Sequence, residues 1–413
     1  MLAGSAGPGT ALAMRLVVRA AEVTSAPRLL PITGAHVDSC LDHGQASLDF
    51  IDRLAVGDTR VAVPTTLNVG GIDLLHPELW RGDRELAARG RAVMEGYRGL
   101  GCRPTFTCAP YELADQRPGL GEQVAWGESN AIVFVNSVLG ARTSRYGDFL
   151  DVAAAVTGRV PESGLHLSDA RRARLVLRLG TDVPDALLDE DSLYPILGAV
   201  IGRRTGSTVA AVVGLPAGLP ERRLKALGAA AASTGSVALV HVVGSTPEAP
   251  TLAAALQEGQ PDAEMVINLA ELRSQRTALT TGTGSRVGAV SLGTPHASYA
   301  ELEGYMALLG EHRCADTVEL LISTGRETLH RAEASGIAAG LRRAGAELLV
   351  DTCSYIAPIL RAVNGVAMTD SAKWAYYAPG NIGVGVVFAT TAECLASAVA
   401  GRVVRDDLLW GEA

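Results

Sequence analysis

Thr208-Val-Ala-Ala-Val-Val213, then Glu221 to Ala232, then Val237-Ala-Leu-Val-His-Val-Val243 read as strand, helix and strand. The two flanking runs are short, continuous and rich in valine, as strands buried on both faces require. A Gly/Pro-rich loop, Gly214 to Pro220, separates the first strand from the helix. The same alternation recurs along the chain. Val61-Ala-Val63, Ala131-Ile-Val-Phe-Val135, Val287-Gly-Ala-Val-Ser-Leu292, Val318-Glu-Leu-Leu-Ile322 and Glu347-Leu-Leu-Val350 are further strands by this reading. Ala300 to Leu309 and Thr328 to Ala344 are further helices, and Ser168 or Asp169 is placed to cap a helix running to Leu179 before Gly180. Strand–helix alternation predicts α/β layers with largely parallel sheets.

The composition sets the class. With 413 residues, 48% apolar and 19% charged, the chain is neither disordered nor small, and has room for several cores. Expected divisions are a loose extension over 1–26, α/β units over 27–200 and 201–285, and a last α/β unit over 286–413. Thr277 to Ser285, rich in Thr and Gly, reads as a linker. A net charge of −8 argues against nucleic acid as the partner. No uncharged apolar run is long enough to span a membrane, and Met1 to Ala13 lacks the basic start of a secretory signal. Cysteines stand at 40, 102, 108, 314, 353 and 394 without a CxxC pair, which predicts reduced thiols and a cytoplasmic protein.

Ligands of open parallel sheets sit beyond the carboxyl ends of the strands. Those ends carry Pro64-Thr65-Thr66-Leu67-Asn68, Cys108-Ala-Pro-Tyr111 after Thr105 to Thr107, Asn136-Ser137, Gly293-Thr294-Pro295-His296-Ala-Ser298, Ser323-Thr324, Asp351-Thr-Cys353 and Thr369-Asp-Ser371-Ala-Lys373. Together they predict a polar cleft. Cys108 and Cys353 read either as small buried apolar groups or as thiolate ligands of iron or zinc. His36-Val-Asp38-Ser-Cys40-Leu-Asp42-His43 reads either as a capped turn or as a direct metal site. In the second case His36, Asp38 and His43 would make a mononuclear metal hydrolase. Around Ala131 to Val135 lie Trp126-Gly-Glu-Ser129-Asn130 and Arg142-Thr-Ser-Arg145, where an arginine could clamp a carboxylate. Of 36 basic residues, only Lys225 and Lys373 are lysines. Lys373 follows a strand end and reads as functional, because a lysine offers a compact charge that arginine does not. Lys225, near Arg222 and Arg223, reads as ordinary helix surface. No Walker A motif or GxSxG elbow is present.

Val63-Pro-Thr-Thr-Leu-Asn68, Cys108-Ala-Pro-Tyr111, Gly127-Glu-Ser-Asn-Ala131 with Asn136-Ser-Val-Leu-Gly-Ala-Arg-Thr143, Gly164-Leu-His166, Pro295-His-Ala-Ser298, Asp351-Thr-Cys353 and Ser371-Ala-Lys373 follow one another in an order that resembles the aconitase X family. The resemblance implies an aconitase-like multi-domain α/β fold around a central cleft, and a hydro-lyase. Bacterial members dehydrate cis-3-hydroxy-L-proline to pyrroline-2-carboxylate, and archaeal members dehydrate mevalonate 5-phosphate. It further implies an iron–sulfur cluster on three cysteines. Cys108 and Cys353 match two of these positions, and Thr294 stands at the third. Another ligand such as Cys40, or a single iron, would then complete the site. Family members also work with a small swivelling domain, fused or separate, which in the wider superfamily brings a serine base. The chain is therefore expected to act with a small partner subunit. In this reading Lys373, His296 and His166 handle protons or charge. Thr65, Thr66, Asn68, Ser129, Asn130, Asn136, Ser137, Arg142 and Ser371 bind the hydroxy acid.

Overall fold

Thr208 to Val243 folds as its pattern predicts. In the computed structural model, which describes residues 1–40, 43–361 and 363–411, Ala210–Val213 and Val240–Val242 are parallel neighbours, with the helix Glu221–Thr234 as the crossover. Leu175–Leu179 and Ala263–Ile267 extend this sheet to four parallel strands. Its crossover helix packs on the helix Leu193–Thr205 at very short range. A Cβ at Gly198 would lie 2.1 Å from the Leu227 carbonyl oxygen, and one at Gly202 would lie 2.6 Å from that of Ala231. Gly198→Ala is therefore expected to destabilise the chain by about 1–3 kcal/mol through overpacking. Denaturant unfolding measures this, and an unchanged midpoint would show that the helices can separate freely.

A second sheet has five parallel strands in the order Ala346–Leu349, Glu319–Thr324, Val287–Ala297, Val366–Thr369, Val386–Phe388. A third has three, with Ala35–Val37 between Thr65–Leu67 and Ala125–Trp126, also parallel. Leu29–Pro31 and Arg159–Pro161 form a separate antiparallel pair. The architecture is thus α/β with parallel sheets, as expected. The carboxyl ends of the three- and five-stranded sheets meet across one cleft. Arg326 fastens this junction with a two-pronged bond to Asp351, at 2.5 and 2.6 Å. Asp351 in turn accepts from the backbone N–H groups of Gly70 and Leu74 on the opposite side, at 2.6 and 3.1 Å.

Some segments depart from their sequence pattern. Ala131 to Val135 lies in the helix Ser129–Ser137, buried from Asn130 to Ser137. A helix with no exposed face has no polar stripe, so it shows the same continuous apolar run as a buried strand. Ser168 to Leu179 is not a helix. It is a short 3-10 turn, Asp169–Arg171, followed by the strand Leu175–Leu179. There Arg178 reaches across to Glu264 of the adjacent strand at 2.9 Å. Val61 to Val63 precedes the strand Thr65–Leu67 and is not part of it. Thr328 to Ala344 divides into helices Arg326–Ala334 and Ile337–Arg343 at Gly336, whose φ is 84°. Within the expected loose extension, Pro8–Val23 is a helix with Ala13 and Val17 fully buried in the core of the first sheet region. Among the described residues no helix is long and apolar enough to cross a membrane.

Candidate active site

Each sheet contributes the residues immediately after its strands. From the three-stranded sheet come Asp38, Asn68 and Glu128. From the five-stranded sheet come Cys353 and, in the first turn of the helix Ala372–Ile382, Lys373. With Cys108 these residues line a cleft of about 590 Å³. His296, near the end of the central strand, lies behind the thiols.

The sulfur atoms of Cys108 and Cys353 and a ring nitrogen of His296 all lie within 4.8 Å of one another, and all three residues are buried. The His296 backbone N–H donates to Cys108 Sγ at 3.3 Å. Its ring Nε2 is 3.1 Å from the Thr352 carbonyl, which can only accept, so Nε2 carries a proton. Its Nδ1 is 3.1 Å from the Thr107 hydroxyl. Burial opposes ionisation of Cys108. The Cys353 thiol as a donor, with His296 and Lys373 close by, outweighs this and holds Cys108 below the ordinary thiol range. The proton left between the two sulfurs stays on Cys353, which the neighbouring thiolate and burial hold well above it. Two thiols and an imidazole suit iron, an iron–sulfur centre or zinc. Thr294, at the third position of the expected cysteine set, offers a hydroxyl in place of a thiol. Its hydroxyl is buried without a partner among the described residues, and Thr294 lines a small cavity of about 70 Å³ with Lys225, Glu301 and Lys373. His296, two residues on, is the third member of the group that could hold a metal ion. Cys40 lines the main cleft, 3.9 Å from Asn68 Nδ2.

Across the cleft lining, Lys373 Nζ donates to Glu128 Oε1 in a largely buried ion pair. Glu128 also accepts from Ser129 Oγ at 3.0 Å, Asn130 Nδ2 at 2.9 Å and the Ala131 N–H at 2.8 Å, and so caps the helix Ser129–Ser137. Burial would raise its pKa, but Lys373 and these donors hold it below the usual carboxylate range. Burial would likewise lower Lys373, and Glu128 reverses this to well above the ordinary amine value. The Glu128 backbone has a φ of 68°, unusual for a residue with a side chain. Glu128 was not among the site residues read from sequence, and Asp38 entered there only as a candidate ligand beside His36 and His43. Asp38 accepts from Asn68 Nδ2 at 2.9 Å and the Cys40 N–H at 3.2 Å, and burial raises its pKa.

The remaining sequence-predicted residues fall at different distances from the cleft. Asn68 and Ser129 line it. Asn130 is buried behind it, bonded to the Cys108 carbonyl at 2.6 Å and to Tyr111 at 2.9 Å. Ser371 caps the Lys373 helix through the Trp374 N–H at 3.1 Å. Thr65 and Thr66 bond to the Val63 carbonyl and to His36 Nδ1, both at 2.8 Å. Asn136 joins Thr143, Ala238 and Arg171, and Ser137 accepts from the Val240 N–H at 3.0 Å. Arg142 donates to the His166 carbonyl at 3.1 Å and to Ser168 at 2.9 Å. These last five side chains are committed within the fold and do not line the cleft. His36, Asp38 and His43 do not gather into a ligand set, and His43 pairs with Asp148 at 2.7 Å on the surface. Leu41 and Asp42 of that stretch lie outside the described residues.

His166 stands one layer back, between Tyr146 Oη and Gln123 Oε1, the latter at 2.6 Å. Burial, then Arg171 and Arg142, lowers its pKa to about 4. The unfolded chain takes up this proton near pH 6.5, and the folded chain does not until about pH 4. Stability from this residue is therefore complete above 6.5 and falls by about 3 kcal/mol as the pH drops to 4. Asp151 and Asp370, raised to about 7 and about 6 by burial, act in the opposite sense. Comparison with His166→Gln isolates the effect. The advantage of the unsubstituted chain is expected to shrink across that window in urea unfolding, and a constant difference would contradict the assignment.

Sequence models of the aconitase X first, second and third domains match residues 1–169, 173–277 and 287–400. The chain is 40% identical over 408 residues to a cis-3-hydroxy-L-proline dehydratase of Pseudomonas aeruginosa, covering 97% of this chain and 69% of that one. It is 33% identical over 383 residues to the large subunit of phosphomevalonate dehydratase of Thermococcus kodakarensis, covering 91% and 92%. Its fold is similar to the crystal structure of Thermococcus kodakaraensis aconitase X in the holo form, with a TM-score of 0.85, 30% identity, and coverage of 96% and 97%.

Proposed function

The chain belongs to the aconitase X family, and from that premise we propose that it is a dehydratase removing water from cis-3-hydroxy-L-proline to give pyrroline-2-carboxylate. The observation that carries this reading is the meeting of a paired-thiol group and a buried Lys373–Glu128 ion pair in one cleft.

Cys108, Cys353 and His296 would hold iron or an iron–sulfur centre, with Cys40 the nearest further thiol on the cleft wall. When bound, this centre supplies a Lewis acid for the departing hydroxyl. Lys373 is held charged by Glu128, so it has no site to accept a proton at neutral pH. Its role is electrostatic. It faces the negative charge that builds on the substrate carboxylate as the α C–H bond breaks. That electron pair forms the ring double bond as the C–O bond breaks, hydroxide leaves as water with the proton, and the enamine tautomerises to the imine.

The cleft wall carries both signs of charge, Asp38, Glu128 and Asp148 against Lys373 and Arg145. A zwitterionic imino acid matches this mixture, whereas a phosphomonoester with two negative charges needs a more basic wall. The higher identity to the hydroxyproline enzyme points the same way. We assign the base to a small swivelling subunit. Support comes from the large-subunit relative and from the charged state of Lys373. The six free thiols fit a cytoplasmic setting. The test is an anaerobic assay of the iron-loaded chain, with a swivelling-domain protein added, on both substrates. Hydroxyproline should be consumed and mevalonate 5-phosphate left intact; the reverse result would move the assignment to the phosphorylated substrate.

A further inference from the structure

We infer that Lys225 is a positioning residue for the thiol–imidazole group, holding the His296 main chain against Cys108 from the helix Glu221–Thr234. Lys225 is one of two lysines in the chain and is only 4% exposed. Its Nζ donates to the His296 carbonyl and to Glu301 Oε2, both at 2.7 Å, and lies 3.8 Å from Glu112 Oε1.

These acceptors belong to the two segments that deliver the ligand group. Glu112 closes the 3-10 turn Pro110–Glu112, immediately after Cys108 and Ala109. His296 donates its backbone N–H to Cys108 Sγ. Glu301 belongs to the capping box of the next helix, Tyr299–Leu309, and accepts from the Ser298 N–H and hydroxyl, each at 2.8 Å. One ammonium therefore ties residues 108–112 to residues 296–301 through a helix that packs outside both. Two hydrogen-bond acceptors and a third carboxylate at ion-pair distance, converging on one point, suit a lysine, whose donors rotate about a single nitrogen. The planar fork of arginine spreads its donors apart. Lys225 does not line the main cleft, so its action on the reaction passes through His296 and Cys108. Outer residues that orient a metal ligand typically change metal affinity or activity about 10- to 100-fold.

The inference rests on Cys108, His296 and Cys353 being the metal group, and its test separates the two ideas. Lys225→Met alone leaves the half-buried Glu301 carboxylate unpaired and is expected to fold poorly. The informative pair is Glu301→Gln, which keeps the bond to the His296 carbonyl, against the double variant Lys225→Met/Glu301→Gln, which removes it. Both are loaded with iron anaerobically and challenged with a chelator. Both are also probed metal-free for the rate of Cys108 alkylation by iodoacetamide, read by peptide mass spectrometry. The expected result is iron loss about 10- to 100-fold faster and an altered Cys108 rate in the double variant alone, with equal thermal midpoints. Equal iron retention and equal Cys108 rates in two folded variants would overturn the role of Lys225. If the unsubstituted chain holds no iron, the metal reading fails, and the Cys108 rate alone decides the inference.

Discussion

Lys373→Met is expected to lower kcat about 10²- to 10³-fold, the usual loss when one preorganised donor to a developing anion is removed. Lys373 is 4% exposed, and its ammonium is fixed by Glu128, which is itself fixed by Ser129, Asn130 and Ala131. Such a group does not reorganise during the reaction, which is the condition for a large electrostatic effect. The single substitution also strands the Glu128 carboxylate in the interior, at a cost of about 3–5 kcal/mol. Lys373→Met/Glu128→Gln removes that stranded charge. If the double variant folds at the normal denaturant midpoint and still shows the loss in kcat, the defect is catalytic. An unchanged kcat in either folded variant would remove Lys373 from the mechanism.

Cys108→Ser and Cys353→Ser are expected each to abolish iron binding and, with it, turnover. Serine differs from cysteine by one atom, so the buried site keeps its shape while losing the soft ligand that selects iron. Cys108 is the more telling position, because the His296 N–H is aimed at its sulfur at 3.3 Å and Cys353 stabilises its charge. Metal analysis of the two variants against the unsubstituted chain checks this. A metal centre built on His36, Asp38 and His43 predicts the opposite, with metal content untouched by either substitution. Retained iron in both serine variants would therefore relocate the centre.

The fold was legible where strands alternate with amphipathic helices. Val287 to Leu292 begins the central strand of the five-stranded sheet, and Val318 to Ile322 and Glu347 to Val350 each mark a strand of it to within a residue or two at its ends. It was illegible where burial erases periodicity, as in Ser129–Ser137, packed so closely on its neighbour that a Cβ at Gly228 would come within 3.0 Å of Val133. The site followed from the rule about strand ends, which brought Cys108, Cys353, Lys373 and Asn68 into view. That rule also promoted Asn136 and Ser137, which sit at the end of a helix and hold backbone groups in place. Glu128 stayed hidden because the run after it, Ala131 to Val135, read as a strand, which concealed its place as the cap of a helix. Only the pairing with Lys373, 245 residues away, shows its second role. Lys225 was misread for the same reason. Its partners His296 and Glu301 lie 71 and 76 residues further on, beyond the reach of any local pattern.

Every role assigned to Cys108, Cys353 and Lys373 depends on this chain eliminating water from an imino acid in the cleft between them. Proton NMR of cis-3-hydroxy-L-proline, incubated with the iron-loaded chain and a swivelling-domain protein, tests it directly. The expected result is loss of the C2 proton signal together with the appearance of pyrroline-2-carboxylate. Unaltered hydroxyproline in a sample whose iron is bound by Cys108 and Cys353 would contradict it.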